Sequence, residues 1–398
     1  MSMGHGAFYR DPLCRFYTEP SVSTLLVALL SDNKPIRVLD LASGTGTLSD
    51  AAGRRWQSGE LVTVDIDPLC SPNRPAANRR HIIADALDPA LPTLIEADKQ
   101  GFDLTLCNPP FRLSEWRPAF GRILDDAGLA RAFSHCRYVG TEALFVAQSL
   151  RLARGGGEIG LIVPDGLMTG RRTEGFRAAL LCQHDIRSVV QLPRGVFKRT
   201  EARAFIVILD KGTPSRGRVA LRRLDGSGVL SQRLWVDNVA AERRMDFDFH
   251  DASGLTGGPT LLDLGAEVIR GSLENPGSDS GGMPVFHTAD FPEGFARVAH
   301  DLSGSAPSKR AKLVIAGPGD ILVARVHRSL HLKVCGVAEG HATLSSCVFR
   351  VRVPTVVRDR VLSALLSDAG AEKLASTARG VGPRMLGKAD FLEMPIPW

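Results

Sequence analysis

Residues 108–111 read Asn-Pro-Pro-Phe and close an apolar run, Phe102-Asp-Leu-Thr-Leu-Cys107. Two prolines fix φ and push the residue before them out of helical space. Asn108 is therefore held extended at the C-terminal edge of a strand. From there its side-chain amide and the Pro109 carbonyl can both accept hydrogen bonds from one planar –NH2 group. Phe111 adds a flat apolar face for an aromatic ring. Asn108, Pro109, Pro110 and Phe111 are thus the candidate catalytic set, and they suit work on the exocyclic amine of a heterocycle. Asn-Pro alone is commonly just a strand that ends in a proline turn, so what lies upstream decides.

Upstream, Arg37-Val-Leu-Asp-Leu-Ala-Ser-Gly-Thr-Gly46 is an apolar strand running into a glycine turn, and Thr47 to about Trp56 reads as the following helix. Strand, glycine loop and helix form the first unit of a doubly wound sheet. Ala42, Gly44 and Gly46 let the backbone approach a ligand closely. A dinucleotide fingerprint would need a third glycine where this chain has Ser49, so that reading fails. Asp40, inside the strand end, would repel a pyrophosphate but could hold a cationic methionine moiety, directly or through water. A second acidic strand end is Leu61-Val-Thr-Val-Asp65-Ile-Asp67, where Asp65 can accept two ribose hydroxyls and Ile66 can pack on an adenine ring. At a third, His81-Ile-Ile-Ala-Asp85, the Asp85 carboxylate can accept from an adenine amine, with Ala86 beside it. One Asp at a strand end is more often a cap than a ligand contact. Three at successive strand tips, beside a glycine loop, form a rarer pattern.

These motifs, in this order, resemble the gamma group of adenine-specific DNA methyltransferases that use S-adenosylmethionine. The likeness is greatest to the modification subunits of type I restriction systems and their single-chain relatives. It implies a Rossmann-like α/β sheet of about seven strands and S-adenosylmethionine as cofactor. The family's first cofactor motif resembles Phe16-Tyr-Thr-Glu-Pro20, which implies that Tyr17, Thr18 and neighbouring backbone hold the methionine end. A later family motif resembles Leu192-Pro-Arg-Gly-Val-Phe197 followed by Phe205-Ile-Val-Ile-Leu-Asp-Lys211, which implies that Phe197 lies near a flipped base. Family members often carry Tyr where this chain has Phe111.

The elements that must position these residues follow from periodicity. Strands are expected near 36–41, 61–65, 81–85, 102–107, 158–163, 186–192 and 204–209. Helices are expected at Thr141–Arg154, stopped by Gly155-Gly-Gly157, and at Thr173–Cys182. Residues 112–140 show little periodicity and read as a long active-site loop with some helix. The texture changes after Lys211, and a boundary is placed near residue 250. Residues 1–250 are then a methyltransferase domain, and 251–398 a smaller β-rich domain. Three phrases in the latter resemble target-recognition domains of type I specificity subunits: Leu264-Gly-Ala-Glu-Val-Ile-Arg-Gly271, Gly317-Pro-Gly-Asp-Ile-Leu-Val-Ala324 and Phe391-Leu-Glu-Met-Pro-Ile-Pro397. The alternative there is a generic small β domain.

Composition sets bounds on partners. The 398 residues suit two domains, and a net charge of +6 permits an anionic partner such as double-stranded DNA. Arg171, Arg172, Arg177, Arg187, Arg194, Lys198, Arg199 and Arg203 cluster around the Phe197 motif; Arg171, Arg172, Lys198 and Arg199 are the candidate phosphate contacts. Lys309, Arg310, Lys312, Arg325, Arg328, Arg384 and Lys388 give the second domain a basic character. No run of eighteen apolar residues suggests a membrane span. Seven cysteines without Cys-x-x-Cys pairs indicate neither a metal site nor disulfides, and a cytoplasmic location is expected. Restriction or other defence-system subunits are conceivable partners, and the oligomeric state stays open. Three other readings share parts of this pattern. An RNA base-amine or a protein glutamine methyltransferase would use the same Asn-Pro-Pro-Phe site. A non-catalytic DNA-binding subunit would not need Asn108, Asp40 and Asp65 together.

Overall fold

The structure, a computed structural model, describes residues 18–398 apart from 58, 71–77, 134–136, 198–202, 254–256, 275–281, 306–312 and 381. Tyr17, Lys198, Arg199, Lys309, Arg310 and Lys312 lie outside the described residues. The chain divides into two compact units, Met1–Phe247 and Asp248–Trp398.

In the first unit, helix α1 (Pro20–Leu29) precedes β1 (Arg37–Leu41), α2 (Thr47–Arg55), β2 (Glu60–Asp65) and β3 (Arg79–Ile83). The short α3 (Leu91–Leu94) leads to β4 (Phe102–Cys107). Next come β5 (Leu113–Glu115), α4 (Pro118–Asp126), β6 (Tyr138–Gly140) and α5 (Thr141–Leu152). The unit continues through β7 (Ala153–Pro164), α6 (Asp165–Thr169), α7 (Glu174–Gln183), β8 (Asp185–Gln191) and β9 (Ala204–Asp210). Strands β10 (Arg218–Arg223) and β11 (Leu234–Asp237) come next. One sheet holds nine strands in the order β11-β10-β8-β9-β7-β4-β1-β2-β3. From β7 to β3 every pair is parallel, while β9 runs antiparallel to both its neighbours. All five residues of β1 are buried, as expected where helices cover both faces.

The architecture departs from expectation in three places. The seven expected strands are present, and β10 and β11 extend the sheet beyond β8 to nine. The glycines at 155–157 do not end a helix; they belong to β7. Its pairing with β4 jumps from Phe102–Ala153 to Leu104–Glu158, so the extra residues form a bulge. Gly157 is needed there, because a Cβ would stand 2.9 Å from the Phe102 carbonyl oxygen. Residues 112–140 also carry more structure than a loop. Strands β5 and β6 pair antiparallel in the register Leu113–Gly140, Ser114–Val139 and Glu115–Tyr138, with α4 between them.

The second unit is built on a five-stranded sheet ordered Glu267–Arg270, Val348–Arg352, Ile321–Ala324, Val334–Glu339, His300–Asp301. Its pairs are antiparallel except the last. Leu322, Val334, Phe349 and Phe391 are buried in its core, with Val361 and Leu365 from the helix Thr355–Leu366. Phe349 and Phe391 stack with centroids 6.0 Å apart. Among the described residues, no helix of either unit is long and apolar enough to cross a membrane.

Candidate active site

Strand order reverses between β1 and β4, since β1 continues towards β2 and β4 towards β7. The splayed C-terminal ends at such a point leave a crevice for ligands. A cavity of about 350 Å3 occupies it, within the range of small-molecule sites. Its walls come from four strand ends. Ala42, Ser43 and Gly44 follow β1; Asp65 and Ile66 close β2; Asp85, Ala86 and Leu87 follow β3; Asn108, Pro109 and Pro110 follow β4. Thr18 completes this side.

The glycine loop is shaped by left-handed residues. Ala42 (φ 58°), Gly44 (52°) and Gly46 (84°) all have positive φ. For Ala42 this is a strained conformation, of the kind that clusters at ligand sites. Gly46 is the N-cap of α2 and has no side chain to satisfy the helix's first N–H groups. Asp40 does this instead, its Oδ2 accepting from Ser49 N at 2.9 Å. Asp40 is fully buried behind the loop, where it caps α2 while its Oδ1 has no hydrogen-bond partner among the described residues. Burial pushes its carboxyl up to about 7, against the lowering effect of the Ser49 hydrogen bonds. Gly46 likewise shapes the turn without lining the cavity.

Asp65 is buried and tied to backbone. Its Oδ2 accepts from Gly44 N at 2.7 Å and its Oδ1 from Asp67 N at 2.9 Å. Each oxygen keeps a further lone pair for a ligand hydroxyl. Ile66 is 53% exposed, an apolar surface on the cavity rim that a ring can cover. Asp85 is exposed and accepts from Leu87 N. Ser43 Oγ is buried without a hydrogen-bond partner among the described residues. Carboxylates, hydroxyls and apolar faces together match a nucleoside bearing a cationic tail, so these residues fit S-adenosylmethionine.

Asn108 stands at the strand end expected for it, and its Nδ2 donates to Thr18 Oγ1 at 2.9 Å. The turn after it is clamped by Thr141, the first residue of α5, which sequence reasoning missed. Its hydroxyl lies 2.6 Å from Pro110 O and 3.1 Å from Arg112 O, either of which can accept from it. Arg112 N donates back to the same oxygen at 3.3 Å. A threonine at a helix start straight after a long non-periodic stretch was the available signal. Arg112, Ser114, Arg117, Phe120 and Phe145 extend the cavity and were also unforeseen.

Phe197 is 1% exposed and packs in the core with Leu26, Leu106 and Ile206. Phe111 is half-buried, meets Phe197 edge-on with centroids 6.5 Å apart, and is not part of the cavity wall. Phe197 therefore packs behind Phe111. The arginine cluster separates too. Arg171 and Arg172 are exposed, away from the cavity. Arg177 is fully buried, with its guanidinium donating to the carbonyls of Leu167, Gly170, Glu242 and Arg243. Arg203 is buried against Asp165 and Asp246. In the second unit, Arg325 donates to Ser346 O and Arg384 to Ala378 O, so both serve the fold.

A sheet of this order, with the cavity over its switch point, is the class I fold of S-adenosylmethionine-dependent methyltransferases. Residues 76–229 match the N-6 DNA Methylase family model, and residues 21–128 match that of the methyltransferase small domain. Over residues 76–229 the first unit is thus similar to N6-adenine DNA methylases. The chain is 27% identical over 201 residues to the Type II methyltransferase M.BsuBI of Bacillus subtilis. That match covers 45% of this chain and 39% of the relative's length. Among solved structures, the type IIG restriction endonuclease BpuSI aligns with 96% of this chain and 58% of its own, at TM-score 0.51 and 14% identity. The type I restriction-modification methyltransferase subunit from Streptococcus thermophilus aligns at TM-score 0.46 and 22% identity, over 63% of this chain and 54% of its own.

Proposed function

We propose that the chain is a site-specific DNA adenine N6-methyltransferase working with S-adenosylmethionine in a restriction-modification or related defence system. The observation that carries this reading is the sharing of one cavity by the glycine loop, Asp65 and the Asn108-Pro109-Pro110 turn. Asp65 accepts the ribose hydroxyls, Ile66 packs on the cofactor's adenine and Asp85 accepts from its amine. Thr18, Ala42 and Gly44 border the same space. S-adenosylmethionine, when bound, supplies an electrophilic methyl group.

A stacked adenine cannot present its amine in line with a methyl donor, so the target base leaves the duplex. Phe111, steadied from behind by Phe197, offers it a stacking face. Asn108 and the Pro109 carbonyl accept from the two amine protons and hold the nitrogen lone pair towards the methyl. The amine nitrogen gains the methyl as the methyl–sulfur bond breaks, and releases one proton to water. No thiol takes part: burial pushes the Cys107 thiol well above the ordinary range, so it stays protonated. Most of the rate enhancement is positioning. Arg171 and Arg172, with Lys198 and Arg199, supply phosphate contacts, and the second unit reads base edges in the major groove.

The test is methyl transfer from labelled S-adenosylmethionine to unmethylated plasmid DNA by the purified chain, followed by digestion to nucleosides. Label in N6-methyl-2′-deoxyadenosine is expected. A chain that binds the cofactor yet labels only RNA, or a glutamine of added protein, would overturn the assignment. Labelling of DNA only after a partner subunit is added would make the chain the modification subunit of a larger assembly.

A further inference from the structure

We propose that Arg112 and Arg117, at the two ends of β5, hold the phosphates that flank the target adenine while the base is in the cavity. The proposal rests on the reading of the chain as a DNA adenine methyltransferase and names the part of the DNA gripped beside the reacting base. Both arginines line the cavity that Asn108, Pro109 and Pro110 also line, and both are exposed. Ser114, between them in sequence, lines it too. Elsewhere in this unit Arg37, Arg151 and Arg154 are paired with Glu60, Asp126 and Asp103. Among the described residues no carboxylate pairs with Arg112 or Arg117. Arg117 lies over the Phe120 ring, 5.8 Å from its centroid, a contact through the guanidinium face that leaves the N–H groups at its edge for an anion.

Two cations at a cavity call for an anion, and two anions are on offer. The cofactor has one carboxylate, at its methionine end. With the ribose on Asp65 and the adenine on Asp85, that end runs to Thr18 and the glycine loop. A flipped nucleotide brings the other anion: its base enters the cavity, but its sugar ties it to a phosphate on each side, and these stay at the mouth. The guanidinium fork suits phosphate oxygens. The rest of the hairpin also fits a strand better than a small ion. Side chains alternate along β5, so Ser114 turns to the cavity and Leu113 and Glu115 to the opposite face. Leu113 is 75% exposed and is paired with Gly140, which has no side chain to cover it; Tyr138 of β6 is 51% exposed. Arg137 is exposed beside it, its guanidinium 5.3 Å from the Tyr138 ring centroid. Across residues 112–117 and 137–140 the single acid, Glu115, is set against Arg112, Arg117 and Arg137, so the hairpin is positive, as a surface meeting a phosphate backbone must be.

The test is a cycle between side chain and phosphate. Duplexes spanning the mapped methylation site carry a neutral methylphosphonate at one or other phosphate flanking the target adenine, and binding is titrated with sinefungin in place of the cofactor. In the wild-type chain, neutralising a phosphate that an arginine holds should weaken binding by about 10-fold or more, as for the loss of a hydrogen bond to a charged group. Arg112→Gln and Arg117→Gln should each weaken binding of the unmodified duplex by a similar factor and lower the slope of log K against log salt by about 1. Each variant should then lose nothing further when its own phosphate is neutral. Affinity for S-adenosylmethionine, by calorimetry without DNA, should stay within about 3-fold, the scatter between sites that do not interact. Arg122→Gln, exposed on α4 but outside the cavity wall, should behave as wild type in every titration. Unchanged duplex affinity in both arginine variants overturns the inference. So do losses that add to those of the methylphosphonate at every flanking phosphate. Cofactor affinity lowered as much as duplex affinity overturns it too, by placing the arginines on the cofactor's carboxylate. A wild-type chain that places no label in DNA adenine overturns the proposed function itself, an outcome read before any variant is compared.

Discussion

Asp40 shows how a residue can be singled out in sequence while its structural work stays hidden there. A carboxylate at the end of the first strand is legible in the sequence, but its service to Ser49 N depends on Gly46 leaving α2 without a side-chain cap. Its raised pKa has a signed consequence. The folded chain keeps the proton up to about 7, whereas the unfolded chain releases it near 3.8. Stability contributed by Asp40 is therefore whole at low pH and declines as pH rises through that window. Asp40→Asn keeps an oxygen for Ser49 N and cannot ionise. Its stability relative to wild type should improve between pH 5 and pH 8, by on the order of 1–3 kcal/mol, in urea denaturation without cofactor. A difference that stays constant with pH would mean that the carboxyl is ionised throughout. On the proposed reading, Asn108 serves the reaction through its amide oxygen. Asn108→Ala should lower kcat by at least about 100-fold, as for the loss of one group that stabilises a transition state. Cofactor binding by calorimetry should stay within a few-fold. Ordinary methylation by this variant would remove the amide from the mechanism.

At the scale of elements, the Asn-Pro-Pro turn is held from its C-terminal side. Thr141 joins the start of α5 to Pro110 and Arg112, and strands β5 and β6 close the same loop through backbone pairing. Thr141→Val should cost about 1–2 kcal/mol of stability, the usual loss for a buried hydrogen bond. Its kcat should fall while KM for the cofactor is kept, and Thr141→Ser should recover both stability and kcat. Equal kcat in Thr141→Val and wild type would show that the prolines alone hold the turn. This hairpin also marks the limit of legibility. Strands such as Leu61–Asp65 and Phe102–Cys107 announce themselves because central parallel strands are apolar on both faces. Leu113–Glu115 and Tyr138–Gly140 are three residues each and mostly exposed, with α4 intervening, so no period could reveal their pairing. Likewise the place of Arg218–Arg223 beside β8 rests on long-range pairing. The cavity was legible where backbone chemistry dictates it, in the glycine loop and the Asn-Pro-Pro turn. It was hidden where helices contribute single side chains, as with Phe120 and Phe145.

Over the whole molecule, net charge is a poor guide to where a phosphate backbone would be held. Sequence proximity between residues 171 and 203 suggested one basic patch, yet the fold spends its members differently. Arg177 and Arg203 are buried, and Arg187 pairs with Glu158 and Asp210. Arg171, Arg172 and Arg194 remain exposed. Only cations that reach phosphates release counterions, so the salt dependence of DNA binding separates the two groups. Replacing Arg171 and Arg172 together by Ala should weaken binding of an unmethylated duplex. The slope of log K against log salt should fall by about 1 for each phosphate left without its arginine, up to about 2. Arg177→Met should leave the slope as it is. Its effect should instead be on folding. Arg177 joins α6 and α7 to the helix Asn238–Arg243 through carbonyls that would lose their donor. A loss of about 3 kcal/mol or more is expected from breaking a buried charged network. Titrations of labelled duplex at several KCl concentrations, with denaturation of the same preparations, read both quantities. A slope changed as much by Arg177→Met as by the double variant would return Arg177 to the DNA-facing surface and contradict its buried position.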